Sequence, residues 1–151
     1  MSSVNDARVV AAPASDQAGH SRRLRRLAGT GLIATLAAMA ATTLAAALAR
    51  AVGVDFEVPD GGETIPVSGI AVVTGVFSVV GVVIAVALRR WSARPAEVFV
   101  WTAVSLTAIS LVPPLLSGAN TATTAALIGL HLIAATVMIP SMARSLRTRN
   151  D

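Results

Sequence analysis

Four long apolar segments, separated by short polar ones, dominate the hydropathy pattern of this chain. They cover residues 27–49, 66–88, 98–116 and 121–143, and none of them contains a charged side chain. A helix rises about 1.5 Å per residue, and the hydrocarbon core of a bilayer is about 30 Å thick. Each segment is therefore long enough to cross a membrane as a helix.

The predicted fold class is all-α: an integral membrane four-helix bundle, up-down-up-down, formed by residues 22–149. The second segment contains nine valines, which favour strands in water. An isolated strand in lipid would leave its backbone groups unpaired, and a barrel needs at least about eight alternating segments. Helices are therefore the interpretation that satisfies the backbone.

The placement of charge predicts the orientation. All twelve basic residues are arginine: five precede the first segment, three lie between the second and third, and three follow the fourth. The connection between the first two segments has one arginine, and four of the eight acids: Asp55, Glu57, Asp60 and Glu63. Because cytoplasmic loops carry the excess of arginine, both termini are predicted to be cytoplasmic, with residues 1–21 a disordered cytoplasmic tail. The predicted location is the plasma membrane.

Two features near the segment ends allow other interpretations. The pair Arg22-Arg23 before an apolar run ending in Ala47-Leu48-Ala49 resembles a cleavable twin-arginine signal. The run is longer than a signal core of about 7–15 residues, and three further spans follow it.

An excess of basic residues also favours binding to nucleic acid. Here the arginines lie beside apolar runs, so no nucleic-acid partner is expected. Trp91, Phe99 and Trp101 are predicted to anchor the cytoplasmic boundary.

One histidine is the main candidate for chemistry. His131 lies near the middle of the fourth segment, where an ionisable side chain suggests a functional site. Thr124 lies on the same helix face, and Thr107 and Ser110 lie at similar depth on the third helix. These four residues form a candidate intramembrane polar site. The alternative is structural: His131 hydrogen-bonds Thr107 or Ser110 across the helix interface.

Prolines and acids outside that site have simpler interpretations. Pro113-Pro114 is predicted to kink or end the third helix, because two prolines remove two backbone donors. A pocket there is the alternative. The four acids of the first connection do not match a calcium-loop pattern, so a solvated loop is expected. Glu97 suits the first turn of a helix that starts at Pro95.

No catalytic motif is present, and the absence of cysteine excludes disulfides and thiol chemistry. We therefore predict no enzyme, no cofactor and no metal. The leading hypothesis is a non-enzymatic membrane protein that packs against lipid, a second copy or a membrane protein partner. The alternative is a carrier or binder of a small molecule or ion at His131.

Residues 22–149 resemble a family of small, uncharacterised actinobacterial four-helix membrane proteins known as a domain of unknown function. The resemblance rests on Glu63-Thr64-Ile65-Pro66, on Pro113-Pro114, and on His131-Leu132-Ile133 with Pro140. It implies the four-helix layout. It implies no activity, because the family has none assigned, and it transfers no functional residue.

Overall fold

The computed structural model describes residues 13–59 and 63–147 of the chain. Its helices are α1 (Pro13–Ala51), α2 (Val67–Trp91), α3 (Pro95–Ser110), α4 (Val112–Leu116) and α5 (Thr121–Arg147), with strands β1 (Glu57–Val58) and β2 (Glu63–Thr64). Four spans are long and apolar enough to cross a membrane: Leu24–Ala51, Val67–Trp91, Pro95–Leu116 and Thr121–Arg147. The prediction of an all-helical protein with four such segments is confirmed.

The first helix begins earlier than the sequence predicts. Residues 13–21 were assigned to a disordered tail, whereas α1 already starts at Pro13 and runs for 39 residues. Proline suits a first helical turn, and Ala, Gln and Arg propagate a helix readily once the apolar segment has nucleated it. Residues 1–12 of the predicted tail lie outside the described residues. At about 1.5 Å per residue, α1 exceeds the thickness of a bilayer core.

The predicted break in the third segment is confirmed. Helix α3 ends at Ser110, Leu111 forms a turn, and the five-residue helix α4 contains Pro113 and Pro114. The two prolines cannot donate to the carbonyls of Ile109 and Ser110. The span continues to Leu116, so the prolines divide the helix without ending the apolar segment.

Two buried clusters form the core. One joins Leu27, Ala85, Phe99, Met142 and Leu146, and the other joins Ala46, Phe56, Ile70 and Leu130. Helix α1 packs mainly on α2 and α5, and α3 packs on α5 and α2. Phe99 is predicted to anchor the membrane boundary, but its side chain is only 3% exposed and packs among the helices, because a sequence does not fix the rotation of a helix about its axis.

The connection between α1 and α2 is ordered on both sides of the turn. Strands β1 and β2 pair antiparallel, with Glu57 opposite Thr64 and Val58 opposite Glu63. The sequence predicts only a polar connection with a turn at Pro59-Asp60-Gly61-Gly62, of which residues 60–62 lie outside the described residues. We call the end of the bundle that carries this small hairpin the hairpin end.

Candidate functional site

The four residues of the predicted polar site bond within their own segments. His131 Nδ1 lies 2.8 Å from the carbonyl oxygen of Leu127, one turn earlier in α5. Thr107 Oγ1 donates to Ala103 O at 2.8 Å, and Ser110 Oγ donates to Thr107 O at 2.7 Å. The structural alternative, a hydrogen bond between His131 and Thr107 or Ser110, is not among the hydrogen bonds of the described residues.

Thr124 also bonds to a backbone carbonyl that lies near it in the sequence. Its hydroxyl donates to the carbonyl of Ala119 at 3.4 Å, in the turn just before α5. A Ser, Thr or His side chain that lies one turn after a carbonyl can satisfy itself on its own helix. The geometry thus provides local partners for all four candidates. The one hydrogen bond between two of them runs from Ser110 to the Thr107 carbonyl within α3, and none joins His131 to the other three.

The hairpin end holds a network of hydrogen-bonded polar side chains from two connections, which is not evident from the sequence. Asp55 Oδ1 accepts from the Thr123 hydroxyl at 2.8 Å and from the backbone N–H of Glu57 at 3.2 Å. Asn120 Nδ2 lies 3.2 Å from both carboxylate oxygens. Asn120 Oδ1 in turn accepts from Thr123 N–H at 2.8 Å, which caps the start of α5. We call Asp55, Asn120 and Thr123 the aspartate clasp.

The clasp fastens the connection between α1 and α2 to the turn between α4 and α5. Three hydrogen-bond donors favour the charged carboxylate: first the Glu57 backbone N–H, then the Thr123 hydroxyl, then the Asn120 amide. Together they lower the pKa of Asp55. The pattern Asn120-Thr121-Ala122-Thr123 is typical of a helix start and could have drawn attention to this turn. It does not reveal Asp55 as the partner of Asn120, because Asp55 lies 65 residues earlier.

A depressed pKa makes the clasp sensitive to acid. Its contribution to stability is fully present above the pKa of an unfolded aspartate, about 3.9. It is lost as the pH falls through the lower pKa of the folded state. We expect the melting temperature in detergent to fall below about pH 4 in the wild type. We expect the fall to be smaller in Asp55→Asn and Thr123→Val.

Thr121→Val is the matched control, because Thr121 is exposed at the start of α5 and outside the clasp. It should retain the acid-dependent fall of the wild type. Equal acid sensitivity in wild type and Asp55→Asn would contradict the role given to this carboxylate.

The seam between α1 and α2 contains further buried hydroxyls. Thr42 Oγ1 lies 3.2 Å from Thr74 Oγ1 and donates to Ala38 O at 2.9 Å. Thr35 is also buried on α1, and its hydroxyl is the one buried side-chain polar atom without a hydrogen-bond partner among the described residues. The Thr42–Thr74 contact is a polar link between α1 and α2, and the sequence does not predict it.

Comparison with known proteins assigns the chain to a family. A family model described as "Family of unknown function (DUF6069)" matches residues 22–148. The chain belongs to this family. No curated protein and no solved structure matches the chain. The predicted membership of a family of unknown function is confirmed, while the actinobacterial origin remains a prediction.

The DUF6069 region also gathers the basic residues at the end of the bundle away from the hairpin. The arginines there come from α1, α2, the α2–α3 connection and α5. Of those whose side chains the structure describes, all are exposed except the half-buried Arg89. Arg89 Nη1 donates to the Ser145 carbonyl of α5 at 3.5 Å. We define the arginine collar as Arg22, Arg25, Arg26, Arg89, Arg90, Arg94, Arg144 and Arg147.

Neither end of this DUF6069 chain has the residues of a metal site in the described part. No group of three or more His, Cys, Asp or Glu side chains comes close enough there to hold an ion. A shallow open groove on α5 is lined by Leu132, Ala135, Thr136, Ile139 and Pro140. This groove is apolar and lies on the outer surface of the helix.

Proposed function

We propose that this protein is an integral plasma-membrane protein that crosses the bilayer four times, up-down-up-down, with both termini in the cytoplasm. The aspartate clasp brings the α1–α2 and α4–α5 connections to one end, which supports the alternating order. The Arg89–Ser145 contact brings the ends of α2 and α5 together. The distribution of arginine supports a cytoplasmic collar. A carboxy-terminal reporter that is active only outside the cell would contradict this orientation.

Within the bilayer, the protein acts by packing and not by catalysis. The observation that carries this proposal is the local bonding of His131, Thr107 and Ser110 to their own helices. Polar groups that are satisfied in this way do not converge on a substrate. The outer surface instead exposes large apolar side chains, especially on α2 and α3, including Val76, Phe77, Trp101 and Ile109. Such a surface suits lipid, a second copy or another membrane protein.

The alternative function is a binder or carrier with its site at His131. The bond from the Nδ1 edge of the ring to Leu127 O counts against it, because that edge is already occupied. If Nδ1 carries the proton, Nε2 is the acceptor edge of a neutral ring. This alternative function therefore requires a ligand that donates a hydrogen bond to Nε2.

Native mass spectrometry in lipid nanodiscs, with wild type beside His131→Ala, separates the two functions. We expect wild type and variant to have the same mass apart from the substitution, the same oligomeric state, and no retained small molecule. Loss of a hydrogen bond within one helix should change the free energy of unfolding by only about 1 kcal/mol. A molecule of fixed mass that is retained by wild type and lost in the variant would establish the binder instead.

Lateral contacts are tested by single cysteines, since the chain has none of its own. Val76→Cys and Ile109→Cys place a thiol on exposed faces of α2 and α3, and Ala38→Cys places one in the buried α1 seam as control. Cross-linking to a second copy or a partner at an exposed position, but not at the control, is expected. Absence of cross-links at every exposed position tested would leave lipid as the contact and contradict a protein partner.

A further inference from the structure

The arginine collar is assembled by a buried cluster. Leu27 of α1, Phe99 of α3 and Leu146 of α5 pack together with Ala85 of α2. Each of these residues lies within about five positions of arginines on its own segment. Burial of the four apolar side chains therefore holds basic residues from the whole bundle around one end.

Glu97 is the one acid at the collar end of the bundle whose side chain the structure describes. Glu97 Oε2 lies 3.6 Å from Arg94 Nη1, and this is the one ion pair among the side chains that the structure describes. Both partners are largely exposed, so the pair is weak. The exposed collar arginines Arg22, Arg25, Arg26, Arg90, Arg144 and Arg147 form no ion pair with another described side chain, so together they present a concentrated positive potential.

Apolar surface borders the collar on the side of the spans. Trp91 is 80% exposed and Trp101 is 69% exposed, and they are the two tryptophans of the chain. Indole rings favour the level of lipid headgroups. Guanidinium groups bind phosphate oxygens through paired hydrogen bonds, and basic clusters beside spans attract anionic lipid. Both features match one ligand, a lipid with an anionic headgroup.

We infer that the arginine collar is a binding site for anionic phospholipid headgroups, which it selects over zwitterionic ones. The inference rests on the proposed insertion into a bilayer. It goes beyond the positive-inside rule, which concerns the number of basic residues in each loop and requires no shared site. Here, arginines from segments that are distant in the sequence bind headgroups at the same membrane surface.

The two tryptophans provide the measurement, because Trp91 follows Arg90 directly and Trp101 lies about two helical turns after Arg94. The protein is reconstituted into vesicles of phosphatidylcholine with 20% phosphatidylglycerol, where either one lipid or the other carries brominated chains that quench indole fluorescence. We expect brominated phosphatidylglycerol to quench more strongly than the same mole fraction of brominated phosphatidylcholine. The ratio gives a relative association constant for the collar.

Removal of collar charge should remove the preference. One arginine near a membrane surface changes the association with anionic lipid by about fivefold. The triple variant Arg90→Gln, Arg144→Gln, Arg147→Gln should therefore lower the relative association constant by at least about fivefold, towards equal quenching. All three side chains are exposed, so the variant is expected to fold.

A pair of glutamate variants tests whether the position of the charge matters. Glu97→Gln releases Arg94 from its ion pair and should raise the preference for phosphatidylglycerol. Glu57→Gln makes the same charge change at the hairpin end and should leave the preference unchanged. An equal rise in both variants would show a general charge effect and would overturn the collar as the site.

The remaining outcomes are also decisive. Equal quenching by both brominated lipids in the wild type, or an unchanged preference in the triple variant, would overturn this inference and leave bilayer insertion intact. Absence of quenching by either lipid would instead refute the insertion, and the inference with it.

Discussion

Replacement of Phe56 by alanine should lower the free energy of unfolding by about 3–5 kcal/mol, the usual cost of truncating a buried phenylalanine. Phe56 is 0% exposed and packs with Ala46, Ile70 and Leu130 at the hairpin end. Phe56 lies in the connection between α1 and α2, outside the four spans, so the cavity left by its truncation weakens the packing of the hairpin on the helices. We therefore expect the hairpin to detach before the spans separate.

The surroundings of Phe56 explain why it tolerates an unusual backbone. Its φ is 55°, in the left-handed region that large side chains rarely adopt. Its carbonyl accepts from Ile65 N–H at 3.1 Å, and the Arg50 guanidinium lies 5.9 Å from its ring centroid. Burial of the ring and these contacts offset the local strain.

Phe77→Ala is the matched control for this prediction. Phe77 is 70% exposed on α2, so the same chemical change should alter stability by only about 0.5 kcal/mol. Equilibrium unfolding in mixed micelles with increasing dodecyl sulfate compares the two variants. If both cost the same, the hairpin contributes nothing specific to the fold.

Gly31→Ala should destabilise the protein by about 1–3 kcal/mol through overpacking between α1 and α2. A Cβ at Gly31 would lie 2.7 Å from both Cγ atoms of Val82, well inside van der Waals contact. Valine is stiff about χ1 and cannot move aside easily. The two helices must therefore separate locally, and unfolding in the same mixed micelles measures the cost.

Two further variants identify the cause. Gly29→Ala lies two residues earlier in α1, with nothing within 4 Å of its added Cβ, so it should be neutral or stabilising by up to about 1 kcal/mol. Val82→Ala removes the colliding atoms, so the double variant with Gly31→Ala should recover stability by a coupling of about 0.5–3 kcal/mol. Additive effects in that cycle would rule out the Gly31–Val82 contact as the origin.

Gly75 shows why the identity of the neighbour matters. An added Cβ there would lie 2.9 Å from Met39 Sδ, almost as close as the Gly31 contact. The unbranched thioether can change rotamer, whereas the Val82 side chain cannot. Glycine spacing in the sequence does not reveal this difference, since it depends on which side chain faces the glycine across the seam.

The sequence by itself determined the four spanning segments of this protein. Four charge-free segments of sufficient length predicted four helices that could span a membrane, because lipid permits few other backbone structures. Pro113-Pro114 predicted a kink or an end in the third helix, which the structure has after Ser110, since proline removes donors whatever the surroundings. These conclusions depend on local chemistry and on segment length, both of which are readable from one chain.

Only the tertiary structure decided which residues meet. The sequence could not show that His131 bonds to Leu127 and not to α3, because the reach of its side chain to α3 depends on how α5 is rotated against that helix. It did not reveal the clasp between Asp55 and Thr123, which are 68 residues apart. It also could not distinguish buried Phe56 from exposed Phe77. Contacts between distant segments follow from packing in three dimensions, and hydropathy along the chain does not encode them residue by residue.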